Sequence, residues 1–245
     1  MDPCMTSDSP YGQVLRLPRR PVRAAPAAPA AAPRPALTDL HPARPADPAA
    51  TGFALARLAD RAGPVLWVQD HASRRENGRL YTPGLRAMGI DQPILHVAVN
   101  HPRDALWAME EGAACAGLAA VVGEIHGAPA VLSFTATKRL VLRAEASGVP
   151  VYLIRGGDPG TLSAARERWR LSALPSAPHP DHGQFPGAAR WEAELFRARG
   201  RAPGRWVAQH DPRAQRPADR LRLVSRPDDG AVDAGDQPLS DRSGG

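Results

Sequence analysis

Residues 64–70 read Pro-Val-Leu-Trp-Val-Gln-Asp, and the apolar run at 65–68 is typical of a short strand buried on both faces. Similar apolar runs recur at intervals of roughly 25–35 residues, separated by segments with helical apolar spacing. This alternation predicts repeated β-α-β crossovers and therefore a parallel sheet. The further predicted strands are 94–99, 118–122 and 151–154, and the predicted helices are 53–59, 82–88, 102–113 and 135–146.

The pattern changes after Gly160, where polar and apolar residues begin to alternate. Such alternation is typical of half-exposed antiparallel strands, which would extend the sheet. The predicted fold class is therefore α/β, with a three-layer core and a mostly parallel sheet extended by antiparallel C-terminal strands. The predicted antiparallel segments are 168–171, 190–196, 205–208 and 221–224.

Composition divides the 245-residue chain into one domain with two flanking segments. Residues 18–50 contain 9 Pro and 12 Ala, which bury little area and remove backbone donors, so residues 1–50 are predicted to be disordered. The alternative within this segment is a short ordered insert at 37–40. The domain is expected at 51–226, with a Pro-rich loop at 172–189 and Arg-rich strands at 190–226. Residues 227–245 are predicted to be a disordered acidic tail.

The charge pattern is uneven along the chain. The net charge is +6, and all basic residues except Lys138 are arginines, for which a GC-rich genome is the simplest explanation. Residues 190–226 carry 10 Arg against 4 acidic residues, whereas the segment 227–245 has a net charge of −4. This asymmetry indicates either a phosphate-binding face with a competing tail or only a soluble edge of the sheet.

Targeting and redox features point to the cytoplasm. No stretch approaches 18 consecutive apolar residues, and the N-terminus has no basic region followed by an apolar run. The two cysteines form no paired motif. We therefore expect a cytoplasmic protein with no membrane partner, in a reducing compartment.

The chain lacks the motifs of nucleotide enzymes. Neither G-x-G-x-x-G nor G-x-x-x-x-G-K-[ST] occurs. The first predicted helix opens with Gly52, Phe53 and Ala54, at a position where a P-loop needs Lys and Ser or Thr after its glycine. An aromatic ring and a methyl group neither hold the β- and γ-phosphates nor bind magnesium. We expect a degenerate P-loop position, no catalytic residue, no metal site, no cofactor and no enzymatic activity.

Several short stretches together carry a family resemblance over roughly residues 51–210. They are 64–71, 80–91, 94–99, 104–111, 118–124, 139–149, 163–169, 190–195 and 197–200. In sequence and in order they resemble the RecA-like core, and more specifically the ImuA proteins, which are RecA- and SulA-related accessory factors of bacterial mutagenic translesion synthesis. The resemblance implies a RecA-like fold and an SOS-induced accessory role. It also implies two partners, an ImuB-type Y-family-like protein and an error-prone polymerase III alpha-type subunit.

The resemblance also singles out two acidic residues. It places Asp70 where RecA has the carboxylate that activates water, and Glu124 near the end of the strand that carries the magnesium-linked Asp. Asp70 and Glu124 are therefore either a residual acid pair at the carboxyl edge of the sheet or ordinary polar loop residues. The two loops that hold DNA in RecA fall near 123–133 and 156–162, where this chain is short and poor in cations.

The Arg-rich segment supplies the candidate binding residues. Its arginines alternate with aromatic residues, and guanidinium groups bind phosphate while exposed indoles stack on bases. The alternative is that the aromatics face the core and the arginines face solvent or a partner protein. The candidates for partner or DNA binding are Arg190, Trp191, Arg197, Arg199, Arg201, Arg205 and Trp206.

The sequence therefore leads to one expected function with two alternatives. The expected function is a non-catalytic scaffold of mutagenic translesion synthesis. The first alternative is an ATP-independent module that binds single-stranded DNA, with salt-dependent affinity. The second is an ATPase with residual nucleotide binding, which the missing Lys and Ser or Thr argue against.

Overall fold

The computed structural model describes residues 36–58, 62–214, 216 and 219–225, which contain nine strands and five helices. The predicted disordered segments at 1–35 and 227–245 lie outside these residues. The helices are α1 (Ala49–Ala56), α2 (His71–Asn77), α3 (Thr82–Ala87), α4 (Pro102–Ala114) and α5 (Phe134–Ser147). The strands are β1 (Leu37–Pro42), β2 (Val65–Gln69), β3 (Ile94–Ala98), β4 (Ala120–His126), β5 (Val151–Gly156), β6 (Glu167–Leu174), β7 (Arg190–Ala198), β8 (Gly204–His210) and β9 (Leu221–Ser225).

The strands form one sheet in the order β3-β2-β4-β5-β1-β6-β7-β8-β9. From β3 to β6 neighbouring strands run parallel, and from β6 to β9 they run antiparallel. Helices lie on both faces of the parallel half, because its strands are apolar on both sides. The predicted fold class is confirmed.

The first strand corrects the predicted domain boundary. Residues 37–42 form a strand and residues 49–50 begin α1, so the prediction of disorder up to residue 50 is wrong. Strand β1 lies in the middle of the sheet between β5 and β6, and Leu37 and Leu40 are fully buried on opposite faces. The Ala and Pro residues around it dominated the composition, but pairing with two neighbouring strands orders a six-residue strand whatever its flanks.

Two hydrophobic layers cover the two faces of the sheet. On the first face, α1 and α3 pack with Trp67, Tyr152 and Trp169. On the second face, α4 and α5 pack on β1, β2, β4 and β5 around Met109 and Leu140. The antiparallel half contributes its apolar side chains to the first layer only. In the part of the chain that the structure describes, no helix is long and apolar enough to cross a membrane.

Some element boundaries differ from those predicted. Strand β6 runs parallel to β1 and antiparallel to β7, so it joins the two halves instead of belonging to the antiparallel half alone. It extends to Leu174, which shortens the Pro-rich loop to 175–189. Helix α2 was not predicted, because its sequence HASRREN has no apolar stripe and only Ser73 is buried.

Candidate functional site

The two acidic residues singled out in the sequence do lie side by side at the carboxyl edge of the parallel strands. Asp70 follows β2 and Glu124 lies within β4, and the Asp70 backbone N–H lies 3.3 Å from the Glu124 carbonyl oxygen. Both side chains are almost completely buried. Glu124 is therefore not a loop residue, because β4 extends four residues further than the predicted strand.

Glu124 is the acceptor of a buried hydrogen-bond network. Its Oε1 accepts from the indole N–H of Trp67 at 2.7 Å and from the Gln69 side-chain amide at 3.0 Å. Its Oε2 accepts from the Asn77 amide of α2 at 2.9 Å. Burial raises the pKa of Glu124 above its ordinary value, and the three hydrogen bonds oppose that rise.

The Asp70 side chain binds the backbone at the start of α2. Its Oδ1 accepts the Ser73 backbone N–H at 2.7 Å, which makes Asp70 the N-cap of this helix. Its Oδ2 is buried and has no hydrogen-bond partner in the described structure. Each carboxylate thus holds α2 against the sheet, and no group of three or more His, Cys, Asp or Glu side chains among the described residues could hold a metal ion.

The predicted P-loop position does not lie at the start of a helix. Gly52, Phe53 and Ala54 are in the middle of α1, where the Gly52 N–H donates to the Pro48 carbonyl oxygen at 2.9 Å. Phe53 and Ala54 are fully buried in the first hydrophobic layer. The prediction was wrong because β1 went unrecognised, and with it the true connection from strand to helix, residues 43–48.

That connection is poor in donors for phosphate. A phosphate site at a helix N-terminus needs free backbone N–H groups, but Pro48 has none to offer. The carboxylate of Asp47 accepts the Ala49 N–H at 2.9 Å and the Ala173 N–H of β6 at 3.2 Å. An anionic side chain therefore already occupies the N-terminus of α1. Lys138, the one lysine of the chain, lies on α5 at the opposite face of the sheet.

A second buried polar cluster was missed in the sequence. Asp39 of β1 and Arg155 of β5 are both fully buried, and Arg155 Nη1 donates to Asp39 Oδ2 at 2.9 Å. Arg168 of β6 lies with its Nε 3.4 Å from the same oxygen. Burial and the neighbouring Arg168 lower the pKa of His41 to about 3, so this imidazole is neutral. Only the position of β1 between β5 and β6 brings these residues together, and no local sequence pattern predicts that.

This cluster fixes the loop that follows β5. Asp158 pairs with Arg155 and accepts the backbone N–H groups of Gly160 and Thr161 at 2.7 and 2.9 Å. The Thr161 carbonyl oxygen accepts from Arg168 at 2.9 Å. According to the resemblance, this loop corresponds to one of the two loops that hold DNA in RecA. Here its carboxylate and carbonyl groups are turned onto buried guanidinium groups, which fix the loop against the sheet.

Both aromatic binding candidates belong to the core. Trp191 and Trp206 are 5% and 2% exposed and pack with Trp169 in the first layer. They cannot stack on bases, so their inclusion was wrong. The alternation of β7 and β8 explains this: the large apolar rings take the buried face, and the charged residues take the other.

The arginine candidates are separated by the structure into three environments. Arg190 donates to the carbonyl oxygens of Pro175 and Ser176, and Arg201 pairs with Glu167. Arg205 pairs with Glu194 at 3.1 Å. Arg197 and Arg199 are exposed and form no ion pair within the described residues. Arg190 begins β7 and Arg197 nears its end, so these two lie about 23 Å apart and do not form one cluster.

Comparison with known proteins adds a structural likeness only. No protein-family model matches the chain, and no curated protein matches it. Among solved structures, the crystal structure of the RadB recombinase is similar to it. The two are 17% identical, with 74% of this chain and 89% of that chain covered and a TM-score of 0.49. At this level of similarity the likeness does not indicate a function.

Proposed function

We propose that this chain is a non-catalytic accessory protein of mutagenic translesion DNA synthesis, as in the ImuA proteins that its sequence resembles. It acts as a cytoplasmic scaffold for an ImuB-type Y-family-like protein and an error-prone polymerase III alpha-type subunit. The resemblance of the short stretches between residues 51 and 210 supports the choice of partners.

The start of α1 is the observation that supports a non-catalytic role. Asp47 accepts the first helical N–H group, and Pro48 supplies no donor. A bound triphosphate would place negative charge against the Asp47 carboxylate, and Arg44 is the one cationic residue that the connection 43–48 offers to balance it. At the carboxyl edge, the carboxylates of Asp70 and Glu124 hold α2 in place. The geometry therefore supports a domain that stays folded without bound nucleotide.

Equilibrium dialysis with ATP and Mg²⁺ tests the non-catalytic role. We expect no saturable retention of ATP by the full chain and no phosphate release above a protein-free blank. Saturable retention together with turnover would show a residual ATPase and end the proposal.

Co-purification tests the scaffold role. The full chain is co-expressed with the ImuB-type protein and, separately, with the polymerase subunit, and complexes are separated by size. We expect a stable complex with at least the ImuB-type protein, and separate elution from both would refute the scaffold. Deletion of residues 190–226 is unsuitable here, because it removes β7–β9 and uncovers Phe53 and Trp169. Substitutions of surface residues keep the fold and are the appropriate variants.

A further inference from the structure

The antiparallel half of the sheet has one face that no described helix covers. Helices α4 and α5 pack on β1, β2, β4 and β5, and their layer includes no residue of β7, β8 or β9. Of the side chains of β6–β9 that point away from Trp191 and Trp206, Arg168 is buried, several are partly exposed, and the exposed arginines are Arg170, Arg197, Arg205 and Arg222. We call this surface the open face; its central residues are Arg170, Glu194, Phe196, Arg197, Arg205 and Arg222.

Strand register sets these side chains in rows. Arg170 lies opposite Glu194, which lies opposite Arg205, and these three form one row across β6, β7 and β8. Arg197 lies one row towards the end of β7. Arg222 of β9 lies opposite Gln209, in the row of Arg190, so it is about 25 Å from Arg197, at the other end of the face. Neighbours in a row are about 4.8 Å apart, and successive rows are about 6.8 Å apart. The face is about 14 Å wide from β6 to β9 and about 23 Å long between the rows of Arg190 and Arg197.

The charge of the open face is positive. Arg170 and Arg205 share Glu194, at 2.8 and 3.1 Å. Arg197 and Arg222 are exposed and form no ion pair in the described part of the chain. These two exposed guanidinium groups are the ones that an anionic partner would contact. Counted with Arg190 at the start of β7, the face carries five arginines against Glu192 and Glu194, an excess of three positive charges.

An aromatic ring lies among these arginines. The guanidinium carbons of Arg168 and Arg170 are each 5.1 Å from the centre of the Phe196 ring. Contact with the ring holds the Arg170 guanidinium, about half of whose side chain is exposed, in a defined plane. A planar guanidinium stacks on a base and donates to phosphate at its edges, which a flexible lysine cannot do.

We propose that the open face binds single-stranded nucleic acid, with Arg197 and Arg222 on the phosphates and the Arg170–Phe196 pair beneath a base. An uncovered four-stranded sheet face with a central aromatic residue is a known geometry for binding single strands. An acidic peptide would use the positive charge but not the stacked plane, so the observations favour nucleic acid. This activity goes beyond the scaffold role and needs neither nucleotide nor protein partner.

Fluorescence anisotropy with a labelled 20-nucleotide dT strand tests the proposal. We expect affinity to fall steeply with salt, and Arg197→Glu with Arg222→Glu to weaken binding at least about tenfold. The matched control is Arg86→Glu with Arg103→Glu, the same change in charge at exposed sites on α3 and α4. We expect that control to change affinity by less than about threefold, and Arg197→Lys with Arg222→Lys to retain most of it. Urea unfolding of each variant verifies that it is folded.

Three results would overturn the proposal. One is an equal loss of affinity in both glutamate double variants, which would mean that net charge alone attracts the strand. Another is the absence of salt-dependent binding by the unmodified chain. The third is that polyglutamate binds as tightly as the oligonucleotide and that the same variants lose this binding. That result would assign the face to acidic proteins. The scaffold role is tested by complex formation, so the two proposals fail separately.

Discussion

The α-carbon of Gly52 lies against the indole ring of Trp191: a Cβ at this glycine would be 2.5 Å from Trp191 Cζ2. The sequence singled out these two residues for different reasons, one as part of a nucleotide loop and the other as a base-stacking aromatic. In the structure they pack directly on each other and dock α1 onto β7. The absence of a side chain at residue 52 is thus explained by helix packing and not by phosphate binding.

We expect Gly52→Ala to destabilise the protein. Real Cβ atoms do not approach a carbon atom to 2.5 Å, so the fixed indole or the helix must shift, which costs about 1–3 kcal/mol. Alanine improves helix propensity by about 1 kcal/mol and offsets part of this cost. The expected net loss in the free energy of unfolding is up to about 2 kcal/mol, measured by urea denaturation.

A double-mutant cycle isolates the contact. Trp191→Phe removes the part of the indole nearest to Gly52 and alone costs stability through the cavity it leaves. In Gly52→Ala/Trp191→Phe the new methyl group has room, so the combined loss should be smaller than the sum of the two single losses. Strictly additive losses would mean that the two residues do not interact.

We expect Glu124→Gln to change how stability depends on pH. Burial raises the pKa of Glu124 in the folded state, so between the unfolded value near pH 4.3 and the raised value the native state holds a proton that the unfolded state has lost. This contribution to stability is complete below the unfolded pKa and is lost as pH rises through the folded one. When the folded and unfolded pKa values differ by one, the contribution to the free energy of unfolding is about 1.4 kcal/mol.

Glutamine removes this titration and keeps the network. Its carbonyl oxygen accepts from Trp67 and Gln69, and the Asn77 amide can turn to accept from its NH₂ group. Urea unfolding from about pH 4 to pH 7 should show the stability of the unmodified protein falling relative to the variant. Glu111→Gln, an exposed carboxyl on α4, controls for the loss of one charge. Parallel curves for the variant and the unmodified protein would refute this role of Glu124.

We expect Asp39→Asn to cost about 3–5 kcal/mol, because it leaves the buried Arg168 guanidinium without its carboxylate and the buried Arg155 guanidinium with Asp158 alone. Asp39→Asn/Arg155→Met removes both charges, so its loss should be smaller than the sum of the single losses. The exposed pair Arg139–Glu110 is the control, and Glu110→Gln should cost less than about 1 kcal/mol. A similar cost at both sites, measured by urea unfolding, would contradict the larger contribution of the buried pair to stability.

The sequence predicted what depends on local pattern. Strands β2, β4 and β5 each begin with an apolar run, and α4 and α5 have clear apolar stripes, so their type and order were correct. The parallel crossovers and the antiparallel extension follow from these periods.

It could not predict what depends on distant partners. Strand β1 is six residues long within an Ala- and Pro-rich context, and its identity as a strand comes from β5 and β6. Without β1, the pairing of Asp39 with Arg155 and the true start of α1 at Ala49 were both out of reach. Asp70 and Glu124 were found, but their roles in holding α2 required the positions of Ser73 and Asn77.

The sequence predicts Arg201 as a contact for DNA or a partner protein, whereas in the structure it pairs with Glu167. Its guanidinium pairs with Glu167, which also accepts from Arg57 at 3.0 Å and from the Trp169 indole at 2.9 Å. We therefore expect Arg201→Ala to lower the free energy of unfolding by about 1 kcal/mol and to leave binding of the dT strand unchanged. Urea unfolding and anisotropy on the same preparation measure both quantities.

The effect of Arg201 should also depend on the charge of Glu167. Burial works to raise the pKa of Glu167, but Arg57, Trp169 and Arg201 together hold it below its ordinary value. Stability from this group is present above the unfolded pKa near 4.3 and is lost as pH falls through the lowered folded value. The difference between the unmodified protein and Arg201→Ala should therefore shrink at acidic pH. Weaker dT binding by Arg201→Ala with unchanged stability would instead show that this arginine belongs to the nucleic-acid-binding surface.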